Sequence, residues 1–318
     1  MDRFQIVREI ELAHNRIKKY IVKTPLLEFE GEAKSSDKIF LKLENAQHTG
    51  SFKLRGALNK ILSLSSDELS LGIIAASTGN HALATAYALK LTNRKGTIFL
   101  PNEVVETKLA KLSKFDVDLI HYGDDSSETE IEARKISIER NKPFISPYND
   151  YQVIAGQGTI GLEIYNEFKT VENVFVTVGG GGMISGIACY LKHVNPNIKV
   201  YGCQPENSAV MYHSIKKGRI IQMESKTTIS DGSAGGIESN SITFELVQNN
   251  VDKFILVTED EIKKSMKELF GKTKLIVEGA AAVAMAAYNK ISENLSGDSV
   301  IVICGGNIDT GLFNSIVG

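Results

Sequence analysis

What most narrows the fold is an alternation. Apolar runs of strand length recur along the chain, separated by segments whose apolar residues fall three and four apart. KIFLKL, GIIAAS, GTIFL and VDLIHY come first, interleaved with SFKLRGALNKIL, GNHALATAYALKL and VETKLAKLSK. A second series runs NVFVTV, a helix from Met183 to about His193, IKVYGCQ, KFILVT and SVIVICG. Parallel strands need long crossovers, which helices supply, so the pattern predicts an α/β protein with open parallel sheets flanked by helices. The 318 residues suffice for two lobes, with the break expected near Pro143 to Pro147. Residues 49–146 then form a small domain, and residues 1–48 with 147–318 a large one. No repeat, proline-rich linker or low-complexity tail separates them, so a cleft between the lobes is the natural ligand site.

Composition removes several function classes. A formal net charge of -2 argues against a polyanion-binding surface, and the N-terminal MDRFQIVREIELAHNRIKKY has helical spacing, unlike a signal or transit peptide. Cys189, Cys203 and Cys304 are an odd set that fits a reducing compartment, so a cytoplasmic location is expected. No cysteine and histidine spacing makes a zinc pattern.

Glycine collects in four places. Gly179-Gly180-Gly181-Gly182 follows NVFVTV and opens the helix beginning at Met183, so free amides and a helix N-terminus converge where a phosphate would bind. A tight strand-to-helix turn would use the same residues. Ser77-Thr78-Gly79-Asn80-His81 follows GIIAA and offers hydroxyls and backbone donors to a carboxylate, although Ser, Thr and Asn also make ordinary helix caps. Cys304-Gly305-Gly306-Asn307 ends the strand SVIVI at the sheet edge where ligands collect, and a buried cysteine beside a turn would read the same way. The fourth loop, Asp231 to Gly236, has no signal of its own. Lys53 sits in TGSFKLRGA, inside a small-residue turn ahead of a helix. A phosphate cup, a carboxylate loop and a lysine on separate loops of one cleft describe pyridoxal phosphate and an amino acid.

At these residues the chain resembles the fold type II pyridoxal phosphate enzymes, whose architecture is like that of the tryptophan synthase β chain, and within them the serine/threonine dehydratase (threonine ammonia-lyase) and serine racemase group. The anchors are SFKLRGA, STGNHA, VIAGQGTIGLEI, VGGGGMISGIA, VTEDEI, VEGAAAV and CGGNI, in one order along nearly the whole length. The resemblance implies that Lys53 bonds pyridoxal 5'-phosphate and that Phe52 packs on its ring. It implies that Gly179, Gly180, Gly181, Gly182 and Met183 bind the phosphate and that Asn80 meets the ring hydroxyl. Ser77, Thr78, Asn80 and His81 are expected around the substrate carboxylate, with Lys53 and Thr78 the catalytic pair. Cys304 is expected to face the pyridine nitrogen; a neutral thiol cannot hold that nitrogen protonated, which favours prompt expulsion of a β-hydroxyl. The implied reaction is α-proton removal by Lys53 and loss of water, converting threonine to 2-oxobutanoate or serine to pyruvate, with release of ammonia.

Departures sharpen the expectation. Where metal-binding members carry a glutamate, a small residue and an aspartate, this chain has Gln204, Ser208 and Val210, so no metal is expected. Thr78 stands where racemases place a serine, and Tyr148 also looks more like the dehydratase branch. The chain's end at Gly318 implies no C-terminal regulatory domain, and family habit implies a homo-oligomer, dimer or tetramer. The side-chain pocket is expected at Asp231 to Asn240. A 3-hydroxyaspartate dehydratase would want a cation there, for which Arg55 or a lysine is available. Two other classes compete with the enzyme reading. A non-catalytic amino-acid-binding protein is opposed by Lys53. A dinucleotide-binding module would need an acid where Gln204 stands.

Overall fold

The computed structural model describes residues 1, 3–31 and 37–318. Among the described residues nine strands form two sheets: β1 (Leu26–Glu28), β2 (Ile39–Leu43), β3 (Ile73–Ala76), β4 (Gly96–Leu100), β5 (Asp118–His121), β6 (Asn173–Thr177), β7 (Lys199–Pro205), β8 (Lys253–Val257) and β9 (Ser299–Ile303). The larger sheet has the order β1-β2-β9-β6-β7-β8 and is parallel apart from β1, which runs antiparallel to β2. The smaller sheet, β3-β4-β5, is wholly parallel. β6 and β9 are buried along their whole lengths, as expected for strands covered by helices on both faces. The edge strand β1 is too short to show a period, and the sequence pattern did not anticipate it.

Local rules set the helix ends. Asp150 caps helix Tyr151–Glu167 by accepting from the Gln152 and Val153 amides, at 2.7 and 3.1 Å. Thr258 and Glu261 form a capping box at the start of helix Glu259–Thr273. Helix Tyr151–Glu167 packs on helix Gly182–Val194 at a glycine contact. A Cβ on Gly186 would stand 2.6 Å from the Gly158 nitrogen, so side chains there would force the helices apart. The same long helix also packs against helix Lys53–Ser63 and the N-terminal helix Arg3–Ile17. The small sheet gains a further pairing from Phe144, and Ile145 donates its N–H to the Ile74 carbonyl at 2.8 Å. The chain then crosses through Pro147 to helix Tyr151–Glu167. Carboxyl ends of β3, β6 and β9 all lead into the glycine-bearing loops.

Candidate active site

Those loops line one cavity of about 330 Å³. Phe52, Lys53, Ser77, Thr78, Asn80, His81, Gly179, Gly180, Gly181, Gly182, Met183 and Cys304 all line it, so every expected site residue is brought to one place.

Lys53 is the first residue of its helix, and the turn before it is fastened to the loop after β9. Phe52 donates its N–H to the Cys304 carbonyl at 3.0 Å, Gly306 donates to the Gly50 carbonyl at 2.9 Å, and Ser51 bridges Gly305. Gly50, at φ 71°, makes the bend. Lys53 Nζ donates to the Pro147 carbonyl at 2.9 Å and lies 5.2 Å from the Phe52 ring centroid. Burial pushes this amine down to about 8, against the pull of Cys304, Glu278 and Glu130. A neutral amine, the nucleophilic and basic form, is therefore accessible near neutral pH.

The loop after β3 places Ser77 and Thr78 ahead of helix Asn80–Thr92. Its first-turn amides have no intrahelical acceptor and are of the kind that can bind an anion. Asn80 is clamped across the cleft: its Nδ2 donates to both oxygens of Glu278, at 2.9 and 3.0 Å, and its Oδ1 accepts from Asn307 Nδ2 at 2.8 Å. Asn307 donates also to the Thr49 carbonyl at 2.8 Å, which ties the clamp to the Lys53 turn. His81 donates from Nε2 to the Ile145 carbonyl at 2.8 Å. Burial, helped by Lys53, holds the imidazole down at about 3, so the ring is neutral and spent on backbone.

The glycine loop is tight on its outer side. A Cβ on Gly180 would enter the Tyr148 ring, one on Gly182 would approach Tyr148 Cα at 2.9 Å, and one on Gly179 would approach the Ser233 carbonyl oxygen at 3.0 Å. Gly181 has φ 88° and caps helix Gly182–Val194. Bare backbone alone fits between these walls, leaving amides and a helix N-terminus to face an anion. Thr243 Oγ1 holds the loop by donating to the Gly180 carbonyl at 2.7 Å.

Cys304 is buried, and burial with the nearby Glu278 keeps its thiol well above the ordinary value, hence neutral. Glu278 is the residue the sequence reading left without a role, although it lies inside VEGAAAV. Burial first, then Asp231, raises its carboxyl to about 7. It fits against Gly305, where a Cβ would come within 2.5 Å of its Oε1. Glu130 and Tyr148 also line the cavity.

The suggested use of Arg55 for a substrate β-carboxylate is overturned. Arg55 is fully buried away from the cavity lining, donating Nε to Glu44 at 2.8 Å and Nη1 to Glu163 at 2.7 Å. Gln204 likewise serves the framework, donating to the Val178 carbonyl at 3.0 Å and accepting from the Tyr212 amide at 2.8 Å. Among the described residues no group of three or more His, Cys, Asp or Glu is placed to hold a metal ion.

A parallel-sheet scaffold, with a poorly paired lysine set among an amide cup, a helix N-terminus behind Ser77 and Thr78, and a neutral thiol, defines a cofactor-dependent enzyme of amino-acid chemistry. The family described as "Pyridoxal-phosphate dependent enzyme" matches residues 17–305, and the chain belongs to that family. It is 43% identical to an L-threonine ammonia-lyase of Thermotoga maritima over 88% of this chain and 69% of that protein. The fold matches the processed form of threonine deaminase isoform 2 from Solanum lycopersicum with a TM-score of 0.91 and 31% identity, over 99% of this chain and 92% of that one. A maize serine racemase matches with a TM-score of 0.90 and 30% identity, over 98% and 96%. The cofactor of this chain is pyridoxal 5'-phosphate, and the site fits it: an amine near pKa 8, a backbone cup whose walls leave room for glycine alone, and a hydrogen-bonded asparagine in the same cavity.

Proposed function

We infer that this protein is a threonine ammonia-lyase, converting L-threonine to 2-oxobutanoate and ammonia and L-serine to pyruvate and ammonia. The observation that carries the reading is Lys53, a buried amine with a neutral carbonyl partner, sharing one cavity with four consecutive glycines. When bound, the cofactor takes up the amino group and draws electron density from Cα, which makes the α-proton removable. Lys53 Nζ is the base that removes it, since its lowered pKa supplies the free amine near neutral pH. Gly179 to Met183 would hold the phosphate through backbone amides. Asn80, oriented by Glu278 and Asn307, would meet the ring hydroxyl, and Phe52 would flank the ring. Ser77, Thr78 and the first-turn amides of Asn80 and His81 hold the substrate carboxylate. Cys304, a neutral thiol, would face the ring nitrogen without charging it. Loss of the β-hydroxyl with a proton then completes the elimination, and hydrolysis of the enamine product releases ammonia.

Fold likeness alone does not separate lyase from racemase, because the tomato deaminase and the maize racemase superpose about equally well. Identity of 43% to the named lyase supports the lyase, while Thr78 retains a hydroxyl at the racemase position. The two sheets support a small domain over 49–146 and a large one from 1–48 with 147–318. A cytoplasmic homo-oligomer completes the reading; among the described residues no helix is long and apolar enough to cross a membrane. The test is incubation with L-threonine, L-serine and D-serine, measuring 2-oxo acid release and enantiomer exchange together. Threonine deamination should dominate, and enantiomer exchange outrunning 2-oxo acid release would overturn the reading.

A further inference from the structure

The charged side chains lining the cavity are unevenly matched. Among the described lining residues the one cation is Lys53, while Glu130, Asp231 and Glu278 are acids. Glu130 stands on helix Ser126–Glu139, beside the small sheet, and its neighbour Arg134 straps that helix to the loop following Asp231. Arg134 donates Nε and Nη2 to Glu130 Oε1, at 2.9 and 2.7 Å, and Nη2 to Glu238 Oε1 at 2.8 Å. Its guanidinium also lies 4.4 Å from the Phe144 ring centroid. Glu238 is fixed in turn by Asn149 Nδ2, at 2.8 Å, and donates its N–H to the Tyr148 hydroxyl at 3.0 Å. Tyr148 is the wall behind Gly180 and Gly182, so the strap runs from the small-sheet helix to the glycine cup.

One guanidinium shared by two carboxylates leaves this wall with a net negative charge, and its Nε and Nη2 are already engaged. The field of Glu130 extends across the cavity to Lys53. An amino acid whose carboxylate sits at the Ser77–His81 loop must direct its side chain toward the remaining walls, which include Glu130 and the loop beginning at Asp231.

We propose that Glu130, held by Arg134, is a specificity-determining residue that rejects amino acids with an anionic side chain and admits small neutral ones such as threonine and serine. The proposal rests on reading the cavity as an amino-acid site, and it assigns the 3-hydroxyaspartates to the rejected class. Like charges placed face to face disfavour binding and so discriminate partners of equal shape.

The isosteric pair L-asparagine and L-aspartate isolates the charge, since neither carries a β-hydroxyl to lose. Their dissociation constants for the holoenzyme are measured by the change in cofactor absorbance and by competition against threonine turnover. Asparagine should bind wild type at least tenfold more tightly than aspartate. Glu130→Gln should shrink that ratio about tenfold, mainly by tightening aspartate, and Glu130→Asp should keep most of it. Arg134→Gln, which frees both carboxylates, should widen it, so the proposal stays testable if the Glu130→Gln protein fails to fold. An unchanged ratio in the folded Glu130→Gln and Arg134→Gln proteins overturns the proposal. Absence of threonine turnover with intact spectral binding overturns the lyase reading instead, and the asparagine-to-aspartate ratio still decides the charge question.

Discussion

Lys53 and Arg55 lie two residues apart on one helix and meet opposite fates. Arg55 has both carboxylates it can use: Glu44 accepts from its Nε and Nη2 at 2.8 Å each, and Glu163 from Nη1 and Nη2 at 2.7 and 2.9 Å. Lys42 Nζ adds 2.7 Å bonds to Glu163 and to the Thr24 carbonyl, so the two buried carboxylates face two buried cations. Burial alone would lower the guanidinium pKa, yet Glu44 and Glu163 hold it above its ordinary value. Lys53 receives one neutral carbonyl, and burial wins. The same contrast separates two carboxylates: Arg55 and Lys42 overcome the burial of Glu163 and keep its pKa low, whereas Glu278, held by an amide, rises to about 7. Full pairing makes a fixed charge that orders the framework; partial pairing makes a group that titrates where chemistry needs it.

The comparison breaks most sharply at Lys53. Lys53→Ala removes the covalent anchor and the base together, so turnover of L-threonine should fall by more than about 1,000-fold. The visible absorbance of the bound cofactor should be lost with it. At pH 7 the cofactor-free variant should unfold no earlier than wild type, because the amine it removes is one the fold binds as a cation less readily than the unfolded chain does. A variant that loses stability but keeps turnover would reverse the assignment of the two cations.

Arg55→Met is the converse. It leaves Glu44 and Glu163 buried at 0% and 3% exposure with Lys42 as their one remaining cation, and removing one member of a buried charge set costs about 3–5 kcal/mol. Denaturant midpoints of the cofactor-free protein should show that loss. Arg55→Lys keeps the charge but not the planar fork, so it should recover part of it. Equal stability of wild type and Arg55→Met would mean that the ion set does not order this helix.

These two sites also show what a linear chain reveals. Lys53, the four glycines and the Ser77–His81 loop were legible because their chemistry is local: a strand, a turn that needs bare backbone, and a helix N-terminus lie within a few residues. The alternation of strands and helices was legible for the same reason, and β1 was not, having three residues. Arg55 was misassigned because nothing near position 55 announces Glu163, more than a hundred residues away. Glu278 was visible as a letter in VEGAAAV, but its role depends on Asn80 across the cleft. The strap from Glu130 through Arg134 to Glu238 likewise exists only once the two sheets face each other.

The smallest effect tests the carboxylate half of the comparison. The Glu278 carboxyl has a folded value of about 7 against an ordinary 4.5, so the folded protein holds a proton that the unfolded chain has released between those values. Its contribution to stability is fully present below pH 4.5 and is lost as pH rises through 7, an amount of about 3 kcal/mol from the 1.36 kcal/mol carried by each pH unit. His81 works in the opposite sense, with a folded value of about 3 against 6.5, adding stability as pH rises over that range. Both proteins keep His81, so the difference between wild type and Glu278→Gln removes it. Lys53, with a folded value of about 8, is likewise common to both proteins and drops out of the difference. Between pH 5 and 8, unfolding of the cofactor-free proteins should therefore show wild type losing about 2–3 kcal/mol relative to Glu278→Gln. A flat difference across that range would place the Glu278 carboxyl among the fixed charges, with Glu163, and would leave Asn80 facing an ordinary anion at every working pH.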